Sequence, residues 1–310
     1  MFLQLENIRK AYDGKVAVEN LSLSVPKGVL YGIIGPNGAG KTTTIRMIMN
    51  IIAPDTGKVM FDGKPADLTF LDRVGYLPEE RGLYKKMTLK EVIVYMGELK
   101  GRSASWVKDR IPSWLQRMEL SDYTDKKVEE LSKGMQQKLQ FITTVIHEPD
   151  IIILDELFSG LDPINVELIK GVLLEQKRAG KTILFSTHVM EQAEKLCDYI
   201  CMISRGKKVL DGKIGDVKSQ FGKNSMQVEI EGDGSFIKNL PGVLTLTDYN
   251  NYLELRLNKQ ADPDAILRQV LEKVKVRRFE LVEPSLYDIF IDMAKVAPSE
   301  LEKSKEAAGA

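Results

Sequence analysis

The run Gly35-Pro36-Asn37-Gly38-Ala39-Gly40-Lys41-Thr42-Thr43 carries the densest chemistry in the chain. It fits the pattern G-x-x-x-x-G-K-[ST], in which glycines let successive backbone N–H groups turn inward onto phosphate oxygens. Lys41 is placed to reach the β- and γ-phosphates of a nucleotide, and the Thr42 hydroxyl to ligate Mg²⁺. A second constellation, Asp155-Glu156, closes the apolar run Ile151-Ile152-Ile153-Leu154. There Asp155 can support the same Mg²⁺, directly or from the second sphere. Glu156 can serve as base or orienting group for the water that attacks the γ-phosphate.

Such groups work only if the chain around them is shaped correctly. Gly28–Ile34 reads as a buried strand and Thr42–Met49 as a helix, so the glycine loop joins strand to helix. The helix N-terminus adds partial positive charge where an anion would sit. Ile151–Asp155 reads as another buried strand, and ligands of α/β sheets lie at the carboxyl ends of their strands. Strand, loop and helix in this order predict an α/β fold of the P-loop NTPase class.

Composition narrows the role. At 310 residues the length suggests roughly two domains. The 44 basic and 44 acidic residues cancel, which argues against a nucleic-acid surface. Apolar runs are interrupted by charges well before the ~20 residues of a spanning helix. Met1–Glu6 lacks the basic and apolar regions of a signal peptide, so a cytosolic location is expected. Cys197 and Cys201, four apart and without companion ligands, read as buried free thiols. His147 reads as structural.

Between the two constellations stands Glu129-Glu130-Leu131-Ser132-Lys133-Gly134-Met135-Gln136-Gln137, where Ser132 is suited to cap a helix. This segment resembles the signature of the ATP-binding cassette family, of the form L-S-G-G-Q. The resemblance implies that Ser132 and Gly134 close over the γ-phosphate held by an opposite subunit, in a head-to-tail dimer sandwiching two ATP molecules. It further implies that Tyr12 stacks on adenine, that Asp162 in Ser159-Gly160-Leu161-Asp162-Pro163 couples the two sites, and that His188 in Phe185-Ser186-Thr187-His188 contacts the γ-phosphate. Glu79 stands where the family places a Mg²⁺-contacting Gln. Lys133 and Met135 depart from the signature, and Lys133 either adds a cation near phosphate or faces solvent. Leu157 replaces the usual Pro after Glu156, which is expected to loosen that loop.

The resemblance covers about residues 2–215, giving a cassette over 1–215 with a helical subdomain at about 82–145. Thr88-Leu89-Lys90-Glu91 is a capping box, followed by a helix and by a second stretch from about Ser105 to Glu119 that Pro112 is expected to break. In the family this subdomain receives a coupling helix from a membrane subunit. Leu83, Tyr84 and Met87 are candidates for that surface, although each taken singly favours a core position. Residues 216–297 alternate as β-α-β-β-α-β, a small α+β accessory domain of ferredoxin-like order. This region resembles the one after cassettes of drug-export and sodium-extrusion transporters with separate ABC-2-type permeases. Residues 298–310 read as a flexible tail.

The chain is therefore expected to be an ATPase subunit with ATP and Mg²⁺ as cofactors, peripheral on the inner face of the membrane. A second cassette, in a homodimer, and a separate integral-membrane permease are the partners, with no nucleic acid. The competing class is a soluble cassette switch in translation or DNA repair. A nucleotide-binding module without turnover fits poorly with Glu156 and His188 together. Cargo and direction are not written in these motifs.

Overall fold

The computed structural model describes residues 2–80, 82–221, 225–258 and 260–294, so the expected tail at 298–310 lies outside the described residues. Two compact units divide the chain, Met1–Gly212 and Lys213–Lys295. The first opens with β1 (Leu3–Tyr12), β2 (Lys15–Val25) and β3 (Leu30–Ile34), then α1 (Lys41–Ile48), β4 (Thr56–Phe61), β5 (Lys64–Pro65), α2 (Leu68–Asp72) and β6 (Val74–Leu77). Next come α3 (Leu89–Leu99), α4 (Ala104–Arg117), α5 (Lys133–Val145), β7 (Ile151–Asp155), α6 (Pro163–Arg178), β8 (Thr182–Thr187), α7 (Met190–Leu196), β9 (Tyr199–Ser204) and β10 (Lys207–Lys213).

Strands β10-β9-β3-β8-β7-β6 form one sheet, in which β3, β6, β7, β8 and β9 pair in parallel. Every residue of β3, β7 and β8 is buried, as near-continuous apolar strands covered on both faces must be. A second, antiparallel sheet, β2-β1-β4-β5, shares a core with it: Leu3, Leu5 and Leu21 pack with Ile33, Ile45 and Ile153. α1 is thereby wedged at the end of β3, which fixes the glycine loop between them. Both cysteines are buried, and burial pushes their thiols well above the usual range.

Thr88 caps α3 through the expected box, accepting from Glu91 N while Glu91 accepts from Thr88 N. Pro112 does not break the following helix but sits inside α4. An interior proline costs about 3 kcal/mol. Val107, Ile111, Trp114 and Leu115 are buried on either side of it, at about 1.5–3 kcal/mol each, which outweighs that cost. The core preference for Leu83, Tyr84 and Met87 also fails: Leu83 and Met87 are half-buried and Tyr84 is exposed, its ring edge-on to Tyr95 at 5.2 Å.

The second unit contains α8 (Ile214–Phe221), β11 (Ser225–Glu231), β12 (Val243–Asp248), β13 (Leu253–Leu257), α9 (Pro263–Leu271), β14 (Lys275–Val282) and α10 (Leu286–Ala294). Its antiparallel sheet has the order β12-β13-β11-β14, the ferredoxin-like arrangement. The first connecting helix is a single 3₁₀ segment, Ser235–Asn239. Alternate residues Met226, Val228, Leu253, Leu255 and Leu257 build its core with Ile266 and Val270 of α9.

Candidate functional site

The glycine loop leaves β3 at a backbone that only glycine tolerates. Gly35 has φ +156° and a Cβ there would lie 2.1 Å from Ile203 O; Gly40 has φ +106° and its Cβ would lie 2.5 Å from Ala17 O. Between these points the loop wraps Lys41, which is only 5% exposed. Its ammonium donates to Gly35 O (2.9 Å) and Pro36 O (3.2 Å) and lies 3.2 Å from Glu156 Oε1.

Glu156 follows β7 with φ 51°, a left-handed backbone that is rare for a large side chain. Its Oε2 pairs with His188 Nδ1 at 3.0 Å. Burial alone would raise this carboxyl, but the hydrogen bond from His188 and the charge of Lys41 outweigh it and hold Glu156 below its usual range. Asp155, fully buried, is pushed up by desolvation, against the opposing hydrogen bond of Ser186 and the nearby Thr42 hydroxyl. Glu79 is exposed at the rim, and partial burial together with repulsion from Asp155 and Glu156 raises its carboxyl.

Asn37, Gly38, Gly40, Lys41, Thr42, Thr43, Glu79 and Glu156 line one cavity of about 250 Å³ with Ala17. Near it Asp155 Oδ2 is buried without a hydrogen-bond partner, and three carboxylates, Glu79, Asp155 and Glu156, interact with one lysine. An orphaned carboxylate oxygen in an acid-rich, oxygen-donor site is the chemistry a hard divalent cation satisfies. Thr42, Asp155 and Glu79 therefore fit Mg²⁺.

The remaining sequence-derived residues stand apart from that cavity. Tyr12 ends β1, 45% exposed, with the Lys10 ammonium 5.8 Å from its ring centre. Ser132 caps α5 by accepting from Met135 N at 3.2 Å, and Lys133 beside it is exposed. Asp162 caps α6 through Asn165 N (3.0 Å). Gly134 faces these neighbours, since its Cβ would lie 3.5 Å from Asn165 Nδ2 and 3.8 Å from Leu161 Cδ2. None of Tyr12, Ser132, Gly134 and Asp162 lines the Lys41 cavity of its own chain.

Three contributors went unread in the sequence. Ser186 contacts both Asp155 and Glu156. On the buried face of α5, Gln137 donates to Leu157 O (3.1 Å), and Gln140 Nε2 lies 3.4 Å from Pro78 O and 3.5 Å from Glu80 O, on either side of Glu79. The loop expected to loosen without proline is instead held, with Leu157 fully buried. Polar residues on an otherwise buried helix face were the available signal. His147 is structural as expected: it is buried and its Nε2 contacts Val74 O at 3.2 Å. Burial, with repulsion from Lys100 and Arg102, pushes its pKa down to about 4.

The ABC transporter family model matches residues 18–159, and the model of the C-terminal domain of DrrA1-3-like ATP-binding proteins matches residues 212–294. An uncharacterised ABC transporter ATP-binding protein of Bacillus subtilis, YhaQ, is 41% identical over 290 residues, 94% of this chain and 97% of that one. The Nod factor export ATP-binding protein I of Cupriavidus metallidurans is 38% identical over 235 residues, 74% of this chain and 77% of that one. Among solved structures, an ATP-binding subunit of an ABC transporter superposes with TM-score 0.67 at 31% identity, covering 72% of this chain and 94% of that one. A dimeric ATP-binding cassette in a post-hydrolysis state with ADP and phosphate gives TM-score 0.63 at 25% identity, covering 68% and 98%. The chain belongs to the ATP-binding proteins of ABC transporters, a family of ATP hydrolases.

Proposed function

From that membership we propose that this chain is the energy-supplying subunit of an exporter, with the Lys41 cavity as its site of Mg·ATP hydrolysis. The observation that carries the reading is the chain of contacts from Lys41 to Glu156 to His188, set beside Asp155 at the carboxyl ends of β7 and β8. The glycine loop and the α1 N-terminus hold the phosphates, with Lys41 on the β- and γ-groups. Thr42, Asp155 and Glu79 would hold Mg²⁺, which would supply charge neutralisation on the phosphate oxygens. Glu156 orients the attacking water and takes its proton, and His188 fixes the carboxylate.

Tyr12 stacks on adenine, while Ser132, Gly134 and Asp162 belong to the interface with a second cassette, taken here as a copy of the same chain. The dimeric relative with ADP and phosphate supports that arrangement. Among the described residues no helix is long and apolar enough to cross a membrane. A separate integral-membrane permease completes the assembly and holds this chain at the inner face of the membrane, with the Tyr84–Tyr95 edge as its docking surface. The names of the relatives, transport and Nod factor export proteins, support transport over a switch in translation or repair. Capture of the tagged chain from native membranes tests this: an integral-membrane permease is expected, and ribosomes or DNA in its place would overturn the reading.

A further inference from the structure

Ser186 is fully buried in β8, opposite Asp155 on the final rung of the β7–β8 parallel ladder. A serine hydroxyl has one donor and two acceptor lone pairs. Here the donor goes to Asp155 Oδ1 at 2.5 Å, and a lone pair accepts Glu156 N at 3.1 Å. Both partners are in states that need support. Asp155 is fully buried, and its other oxygen, Oδ2, has no hydrogen-bond partner. Glu156 holds a left-handed backbone at φ 51°, which persists only when its surroundings enforce it.

We propose that Ser186 is a positioning residue for hydrolysis: by binding Oδ1 it fixes the Asp155 carboxylate and leaves Oδ2 available to a cation, and by accepting the Glu156 N–H it pins the turn that carries the carboxylate beside Lys41 and His188. Neighbouring contacts of the same strand end support this role. Thr187 O accepts Gly35 N at 3.4 Å, tying the end of β8 to the phosphate loop, and His188 follows immediately. One strand end thus holds the phosphate loop, the cation carboxylate and the water-orienting carboxylate in register. The inference rests on the proposed Mg·ATP chemistry, and it assigns to Ser186 an effect on the cation and on turnover rather than on nucleotide affinity itself.

The test uses the full chain and its Ser186→Ala and Ser186→Cys variants, measuring ATP binding in EDTA, the Mg²⁺ concentration giving half-maximal phosphate release, and kcat. Loss of a buried charge-assisted hydrogen bond is expected to raise the Mg²⁺ half-saturation of Ser186→Ala roughly tenfold and lower kcat by at least as much, with EDTA-ATP binding unchanged. Ser186→Cys, nearly the same shape with a weaker donor, is expected to fall between. Wild-type Mg²⁺ dependence and kcat in Ser186→Ala overturn the inference and leave the function standing. An equal loss of EDTA-ATP binding, or a Ser186→Cys variant indistinguishable from wild type beside a collapsed Ser186→Ala, overturns it too, because packing would then be the cause. Absence of Mg·ATP hydrolysis in the unmodified chain overturns both.

Discussion

The Lys41 cavity and the Ser132 segment differ in how their polar groups are satisfied. Around Lys41 the side chains are buried and bind one another across long stretches of sequence, from Gly35 to His188. Around Ser132 and Asp162 they are exposed and bind only their own helix ends, three residues away. The first region is assembled by the fold, whereas the second is presented by it. On the proposed function, the chain therefore carries one finished half-site and one surface that a second cassette would complete.

The largest effect expected is on the finished half. Glu156→Gln should leave ATP bound but slow phosphate release by about 10²-fold or more, the usual scale for a lost general base; unchanged turnover would falsify the assignment. The division between the halves is tested by mixing. Glu156→Gln and Ser132→Arg chains, each inactive alone, should recover roughly a quarter of wild-type activity at equal amounts, since half of the two-fold dimers then contain one intact composite site. No recovery on mixing would mean that each site is built within one chain.

A smaller effect is expected at the rim. Glu79→Gln should keep phosphate release within roughly tenfold, about 1.4 kcal/mol of barrier, because an amide oxygen is still a hard ligand; complete loss would show that the negative charge is required. The same variant reads the crowding of carboxylates. Burial and repulsion raise the Glu79 carboxyl, so its ionised form destabilises the nucleotide-free fold above its folded pKa, and the strain is relieved in acid below its ordinary value. The melting temperature of Glu79→Gln should exceed that of wild type at neutral pH, with the gap closing in acid. Least disruptive is NMR titration of His147. His147, neutral in its buried setting, should not protonate until about pH 4. Its folded pKa is depressed, so it costs stability progressively as pH falls from about 6.5 toward 4. A His147 midpoint near 6.5 would show that the ring is not held neutral by burial.

What was legible in the sequence follows the same division. The phosphate loop and Asp155-Glu156 were readable because backbone curvature and strand-end position are local consequences of Gly, Lys and apolar runs. Ser186 was not, since its partners lie 31 and 30 residues away and meet it only through the register of two parallel strands. Pro112 misled because the penalty of proline is local, while the burial of Val107, Ile111, Trp114 and Leu115 that offsets it is tertiary. Tyr84 misled in the opposite direction: an aromatic side chain suits a core, and only the packing of the helices leaves it on the surface. In the second unit, alternation placed the strands, but the sheet order came from pairing across the whole unit.

On the proposed function, the 3.2 Å contact between Lys41 and Glu156 would act as an interlock. A carboxylate held by an ammonium and an imidazole has little basicity to spare for a stray water. Phosphate oxygens arriving in the loop compete for that same ammonium. Under the proposed function, nucleotide entering the loop would loosen that hold, tying the readiness of Glu156 to the occupancy of the site.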